Sequence, residues 1–332
     1  MKARLRVGIV AAVAASIAVG APHSFAQSKS AAQEPNYPTR PIRMIVASGA
    51  GGGLDFVARL VGPKMTEGLG QQVVVDNRAG ASGSIAAELA ANASPDGYTM
   101  LLLSASLVVY GIVNKTRYDL YRDFAPISQV AAAPYVLTVY PGLPVNTVKE
   151  LVAYAKKSPS KLNYASTGNA SFAHLATELF AHDMGIQLVH VPYKGVGSAL
   201  PDMLSGQIQL SLLSMGSVFS HVRSGKLRAL AIATRSRVKA APQLPTMIES
   251  GVPNFVVTQW HGLLAPRATP RPVIERLYRE VAAAVKQPDV AKRFAVDGTE
   301  GIGSTPAEFG QHLKSEHDQW AKVVKIANIS TQ

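Results

Sequence analysis

Short apolar runs alternate along this chain with stretches in which apolar residues recur every three or four positions. Ile42 to Ala47 is a short apolar run bounded by turn residues and reads as a buried strand, while Leu54, Val57, Ala58 and Val61 follow at helical spacing. Gln72 to Asp76 predicts a second strand, Ile85 to Ala93 a helix and Tyr98 to Leu103 a third strand. Strand, helix, strand, helix, strand is the signature of a parallel sheet covered by helices, so the fold class is α/β. A second unit of the same kind begins near Tyr135. It has strands at Val136 to Tyr140, Leu162 to Ala165, Leu188 to Pro192, Gln207 to Leu213 and Leu227 to Ala233. Helices are predicted over Thr147 to Lys157, from Phe172, over Ser198 to Leu204 and over Val218 to Ser224. Val256 to Leu264 returns as a strand through Trp260, and three helices follow at Pro272 to Lys286, Pro288 to Val296 and Pro306 to Ala327.

The loops between these elements carry the candidate chemistry. Gly49, Gly51, Gly52 and Gly53 join the first strand to its helix and let a ligand approach the backbone amides. Asp55 is suited to start that helix, and exposed first-turn N–H groups with the helix dipole make an anion site. A nucleotide loop would need Lys-Ser or Lys-Thr after the glycines, and a dinucleotide fingerprint would need glycine where Leu54 stands. A purely structural turn remains the alternative. Ser104 and Ser106 lie beyond the carboxyl end of the third strand, where ligands sit in such sheets. In the second unit Ser166, Thr167, Gly168 and Asn169 repeat the arrangement of strand, small polar loop and helix start. One anion-ready helix terminus in each half would place two donors across a cleft, each dipole worth about 0.3 to 1 kcal/mol.

The amino terminus reads as a secretory signal peptide. Lys2, Arg4 and Arg6 precede an apolar segment from Val7 to Gly20, and Ser24-Phe25-Ala26 is a small-x-small pattern that predicts cleavage after Ala26. Residues 27 to 36 are small and polar and are expected to be flexible. No later stretch reaches the ~20 apolar residues of a membrane span, and the absence of cysteine removes lipid-modified cysteine and disulfide frameworks. The expected location is the periplasm.

The net charge of +12 is strongly basic, but its lysines and arginines are scattered and no nucleic-acid motif appears. Long-range attraction of an anionic ligand or an acidic partner fits better. His174 and Glu178 sit four apart on a predicted helix, with no third ligand at sensible spacing, so neither metal nor other cofactor is expected. Ser166 or Ser104 with His174 lacks both a Gly-x-Ser-x-Gly elbow and an aspartate orienter, which argues against a hydrolase. Tyr193 and Trp260 either stack on a ligand ring or pack in hinge and core; Arg78 and Lys194 read better as structural and solvent-facing.

A set of motifs in order gives the chain a resemblance. Tyr37-Pro38-x-Arg40-Pro41-Ile42, Gly51-Gly52-Gly53-Leu54-Asp55, Val75-Asp76-Asn77-Arg78 and Pro95-Asp96-Gly97-Tyr98-Thr99 come first. Lys161-Leu162-Asn163-Tyr164-Ala165-Ser166-x-Gly168-Asn169, His190-Val191-Pro192-Tyr193-Lys194-Gly195 and Gly225-Lys226-Leu227-Arg228-Ala229-Leu230 follow. Together they resemble the Bug proteins, the substrate-binding proteins of tripartite tricarboxylate transporters.

The resemblance implies a two-lobed periplasmic binding protein of type II-like fold, each lobe a mainly parallel sheet flanked by helices, with two crossing strands. The implied lobes are 37–135 plus 259–332, and 136–258. It also implies a small carboxylate held by Gly51 to Asp55 and by Ser166 to Asn169 through amides, hydroxyls and waters. With the residues singled out above, the expected site is Ala50, Gly51, Gly52, Gly53, Leu54, Asp55, Ser104, Ser106, Ser166, Thr167, Gly168, Asn169, His174, Tyr193, Ser214 and Trp260. The expected partner is a membrane permease, and a monomer suits a hinged binder.

Two departures bear on the ligand. Leu54 stands where family members carry a hydroxyl, and the segment Gln209 to Ser214 lacks their acidic residue. Both favour an aromatic or weakly hydroxylated mono- or dicarboxylate over an amino acid. A sensor that signals to a receptor and a serine hydrolase are the alternative functions.

Overall fold

The computed structural model describes residues 36–296 and 298–326. The expected signal peptide, its cleavage site and all but the last residue of the polar segment lie outside the described residues. The first unit runs β1 (Ile42–Val46), α1 (Gly53–Leu69), β2 (Val73–Asn77), α2 (Ser84–Ala91), β3 (Thr99–Ser104) and α3 (Ala105–Val113) into a long β4 (Phe124–Val139). The second runs α4 (Val148–Lys157), β5 (Asn163–Ser166), α5 (Phe172–Met184), β6 (Val189–Pro192), α6 (Val196–Ser205), β7 (Leu210–Ser214), α7 (Met215–Arg223) and β8 (Arg228–Ile232). The chain returns through β9 (Thr258–Pro266) and closes with α8 (Arg271–Ala284), α9 (Pro288–Ala295), β10 (Glu300–Gly301) and α10 (Pro306–Ile326).

The strands form two lobes joined along β4. In the first, β1 lies parallel between β2 and β3, and β9 pairs antiparallel with both β3 and β4. In the second, β5 lies parallel between β6 and β7, while β7 and β8 both pair antiparallel with β4. The division falls within one strand: Phe124 to Pro134 pair with β9, and Tyr135 to Val139 pair with β7 and β8. Parallel strands are therefore the rule in each lobe, with a crossing strand running against them, as a two-lobed binding-protein fold requires.

Three elements have no counterpart in the sequence reading: α3, the first half of β4 and the two-residue β10. The buried residues of α3, Ala105, Leu107, Val108, Val109 and Val113, are too evenly apolar for periodicity to separate helix from strand. In β4, Pro126 and Pro134 argue against a central strand. The pairing tolerates Pro126 because the register with β9 shifts between Pro126 and Ser128.

α10 makes side-chain contacts with both lobes. Glu316 Oε2 accepts the indole N–H of Trp260 on β9 at 2.8 Å and that of Trp320 at 2.9 Å. The Trp320 ring in turn meets Phe172 of α5 edge-on, 4.7 Å between centroids.

Candidate ligand-binding site

The glycine loop is built from its own sequence. Gly51 takes a left-handed φ of +79°, open to glycine at little cost, and Gly52 caps α1 in extended conformation with no side chain bonded to the first turn. Asp55 does not start the helix as expected. It occupies the third helical position and reaches back, its Oδ2 accepting the Gly51 N–H at 2.8 Å and the Arg59 Nε–H at 2.9 Å. Burial alone would raise this carboxyl, but the bonds from Arg59 and Gly51 outweigh it and hold the group below the usual aspartate range. Asp55 is thus an internal clamp, only 3% exposed, and its charge is spent within the loop. Leu54 is likewise a correction: its side chain is 6% exposed and belongs to the core, so it does not furnish an apolar wall for a ligand.

The second glycine-rich turn supports the first. Gly83 has φ +97°, and a Cβ there would lie 2.7 Å from Ala47 Cβ, so only glycine lets this turn close on the end of β1. Arg78 is structural, pairing with Asp76, which Arg43 also holds.

Across from the glycine loop stands the start of α7. A cavity of about 450 Å³ is lined by Gly51, Gly52, Gly53, Phe56 and Val57 on one side and by Ser214, Gly216 and Ser217 on the other. Ala133 of β4 and Gln259 and His261 of β9 also line it, with Arg293, Val296 and Thr299. Both helix starts facing this space, α1 and α7, lack a side-chain cap, and Ser214 and Ser217 share a hydrogen bond of 2.8 Å between their hydroxyls. The Arg293 guanidinium lies over the Phe56 ring, 5.2 Å from its centroid. No acidic side chain lines the cavity among the described residues. Two uncapped helix starts with their dipoles and a guanidinium give it chemistry suited to an anion, although the Gly51 and Gly52 N–H groups are themselves bonded within the loop.

His261 is 7% exposed, and its Nδ1 has no hydrogen-bond partner. Burial pushes its pKa down to about 4, so the ring is neutral near pH 7. Gln259 accepts the Tyr135 hydroxyl at 3.3 Å. Trp260, between them, is the clearest correction: it is fully buried against α10 and bonded to Glu316, so its neighbours Gln259 and His261 face the cavity instead.

The loop at Ser166 to Asn169 is built differently from the glycine loop. The N–H of Gly168 bonds to Ser166 Oγ, that of Ala170 to His174 Nδ1, that of Ser171 to the Gly168 carbonyl and that of His174 to Ser171 Oγ. The Gly168 amide and those of Ala170 and Ser171 just beyond it are therefore spent internally, Ser171 caps α5, and none of the residues Ser166 to Asn169 lines the 450 Å³ cavity. His174 is stacked on His190 at 3.7 Å, and burial with the neighbouring His190 pushes its pKa down to about 4. Tyr193 donates to Asp202 at 2.5 Å. Ala50, Ser104 and Ser106 also lie outside the lining of this cavity, although Ser104 pairs in register with His261.

The serine and histidine pairing differs from the one the sequence suggested. Ser166 Oγ meets His190 Nε2 at 2.6 Å, not His174, and Ser166 is 1% exposed. The His190 ring is flanked by Tyr164 and His174 rings, and no carboxylate bonds to it among the described residues. No group of three or more potential metal-ligating side chains occurs among the described residues. A larger cavity of about 820 Å³ lies elsewhere, lined by Asn146, Arg228 and Glu249 among others. Its arginine is occupied by the Leu143 and Val145 carbonyls, so the smaller cavity carries the better anion chemistry.

Known proteins resemble this chain in fold and in part of its sequence. The family profile described as "Tripartite tricarboxylate transporter family receptor" matches residues 57–329. BugT of Bordetella pertussis is 38% identical over 292 residues, 87% of this chain and 90% of BugT. A solved periplasmic transporter superimposes with a TM-score of 0.78 at 38% identity, covering 89% of this chain and all of that one. An R. palustris protein solved with adipate gives 0.77 at 33% identity, over 89% of this chain and 99% of its own. MatC from Rhodopseudomonas palustris with bound malate gives 0.74 at 30% identity, over 87% of this chain and all of its own. Matched along most of its length by profile, relatives and fold, the chain belongs to the tripartite tricarboxylate transporter receptor family.

Proposed function

We propose that this protein is a periplasmic solute-binding protein that captures a small carboxylate, dicarboxylic or aromatic, in the cleft between its lobes and delivers it to the membrane permease of a tripartite tricarboxylate transporter. The observation that carries this reading is the 450 Å³ cavity, where two uncapped helix starts from different lobes converge and no acidic side chain lines the wall among the described residues. An anion gains from both dipoles there, whereas the ammonium group of an amino acid meets no counter-charge among the described lining residues. Adipate and malate in two structural relatives support the carboxylate class.

The glycine loop is the primary anchor, with Ser214 and Ser217 opposite it. Ala50, Ser104, Ser106, Ser166, Thr167, Gly168, Asn169 and Tyr193 complete the cleft when the lobes, 37–135 with 259–332 and 136–258, close about the crossing strands. Closure is stabilised only by contacts the ligand makes better in the closed form than in the open one. The protein works as a monomer after export and removal of residues 1–26.

Calorimetric titration of the mature protein with adipate, malate, benzoate and glutamate tests the reading. The expected result is a Kd in the micromolar range or tighter, about −8 kcal/mol or better, for at least one of the first three. Glutamate as the only ligand bound, or no binding to any of the four, overturns it.

A further inference from the structure

We propose that the cavity of about 820 Å³ on the second lobe is the groove in which the membrane permease docks, and that it receives an acidic segment of that partner. The proposal rests on the delivery reading above and adds to it a surface and the chemistry of what sits there.

One helix connects this groove with the ligand site. Gly216 and Ser217, in the first turn of α7, line the 450 Å³ cavity, while Phe219 and Val222 further along the same helix line the groove. α7 has nine residues, so its two ends are roughly 13 Å apart at 1.5 Å per residue. A partner seated in the groove therefore touches the far end of a helix whose start faces the bound anion. If ligand and partner both favour one placement of that helix, each raises the affinity of the protein for the other by the same factor.

The charge around the groove selects the partner. No aspartate or glutamate occurs between Asp202 and Glu249, a span that carries Arg223, Lys226, Arg228, Arg235, Arg237 and Lys239. The Arg223 guanidinium lies over the Phe219 ring, 5.2 Å from its centroid, which sets this cation at the edge of the groove. Lys149, exposed on α4, lines it as well, and Arg228 stays charged while holding the Leu143 and Val145 carbonyls. Glu249 is the one carboxylate in the lining among the described residues, and it is spent on Arg237 at 3.0 Å and on the Thr246 N–H at 2.7 Å. Glu150, beside Lys149, accepts the Asn146 N–H at 2.7 Å. Between the cations the wall is apolar, with Phe219, Leu227, Leu230 and Leu244. An apolar wall under a cationic rim fits apolar side chains flanked by carboxylates, the anatomy of a protein interface.

Uptake in the native host tests the docking face. A strain lacking this gene is complemented with wild type, with Lys149→Glu/Arg223→Glu or with Lys149→Arg/Arg223→Lys. Uptake is followed with radiolabelled adipate, malate or benzoate, whichever binds tightest in the titration above. Wild type and the charge-keeping variant should restore uptake to within about twofold of each other, and charge reversal should cut it by about tenfold or more, as like charges juxtaposed at an interface do. The purified reversal variant should keep its ligand Kd within about twofold and its urea midpoint unchanged, because both side chains lie outside the ligand cavity. Full uptake with the charges reversed, equal loss in the charge-keeping variant, or a ligand affinity that falls along with uptake overturns the proposal. So does co-sedimentation of wild type, but not of the reversal variant, with phosphatidylglycerol vesicles at physiological salt, which assigns the face to lipid. Uptake that does not depend on this gene overturns the delivery reading and the docking face with it while carboxylate binding stands; binding of no carboxylate overturns all three.

Discussion

Asp55 and His174 illustrate how a polar residue near a ligand loop can serve the loop and not the ligand. Both had residue types and positions that suit a binding role, yet each folds back on backbone N–H groups of its own loop, Asp55 on Gly51 and His174 on Ala170. Asp55→Ala should therefore cost about 1.5 to 3 kcal/mol of stability, because it strips a charge-assisted bond from Gly51 and the partner from Arg59. Carboxylate affinity should fall with it, since the amides lose their fixed aim. Urea unfolding and titration of the variant check both, and an unchanged unfolding midpoint would show that the loop holds itself without the clamp. At this scale the sequence was legible for residue type and not for direction. Leu54 and Asp55 are adjacent, and helix geometry turns one into the core and the other onto its own turn.

Among the elements, the helix starts divide into two kinds. α4 and α5 are capped by their own Thr147 and Ser171, whereas α1, α3 and α7 have no side-chain cap. A strand leads into the helix at all of them, directly at α3 and α7 and through a loop at the others, so the order of elements alone did not separate capped helix starts from uncapped ones. α10 is the element that sets the floor of the cleft, because Glu316 holds Trp260 and thereby fixes which face of β9 looks into the cavity. Glu316→Ala leaves two indole N–H groups without an acceptor and should destabilise the protein by roughly 2 to 4 kcal/mol. Malate and adipate affinities at 25 °C should stay within about threefold, since Glu316 does not line the cavity. Chemical denaturation paired with titration distinguishes this from a direct ligand contact, for which affinity would fall while stability held.

The whole molecule should lose stability in two acid stages. His174 and His261 have pKa values pushed down to about 4, against roughly 6.5 in an unfolded chain. Between those values the unfolded state binds more protons, so stability falls as pH drops from about 6.5 to 4 and stops falling on this account below that. Asp55 acts in a lower window: its depressed carboxyl stabilises the fold above its unfolded value near 3.9 and stops doing so as pH falls through its folded value. Urea midpoints measured at pH 7, 5.5 and 4.5 should decline for wild type and decline less steeply for His174→Gln. Parallel declines would place the acid sensitivity elsewhere.

From sequence alone came the α/β class, most of the strands and helices, the glycine loop as a candidate anion site and the family resemblance. These are local properties, encoded in apolar spacing, turn residues and motif order. Tertiary structure decided which helix start faces the glycine loop, that Trp260 turns inward while Gln259 and His261 turn outward, and that Arg293 joins residues more than two hundred positions earlier. Those facts depend on strand pairing and on the crossing of β4 and β9, which bring together segments whose spacing along the chain carries no record of their meeting.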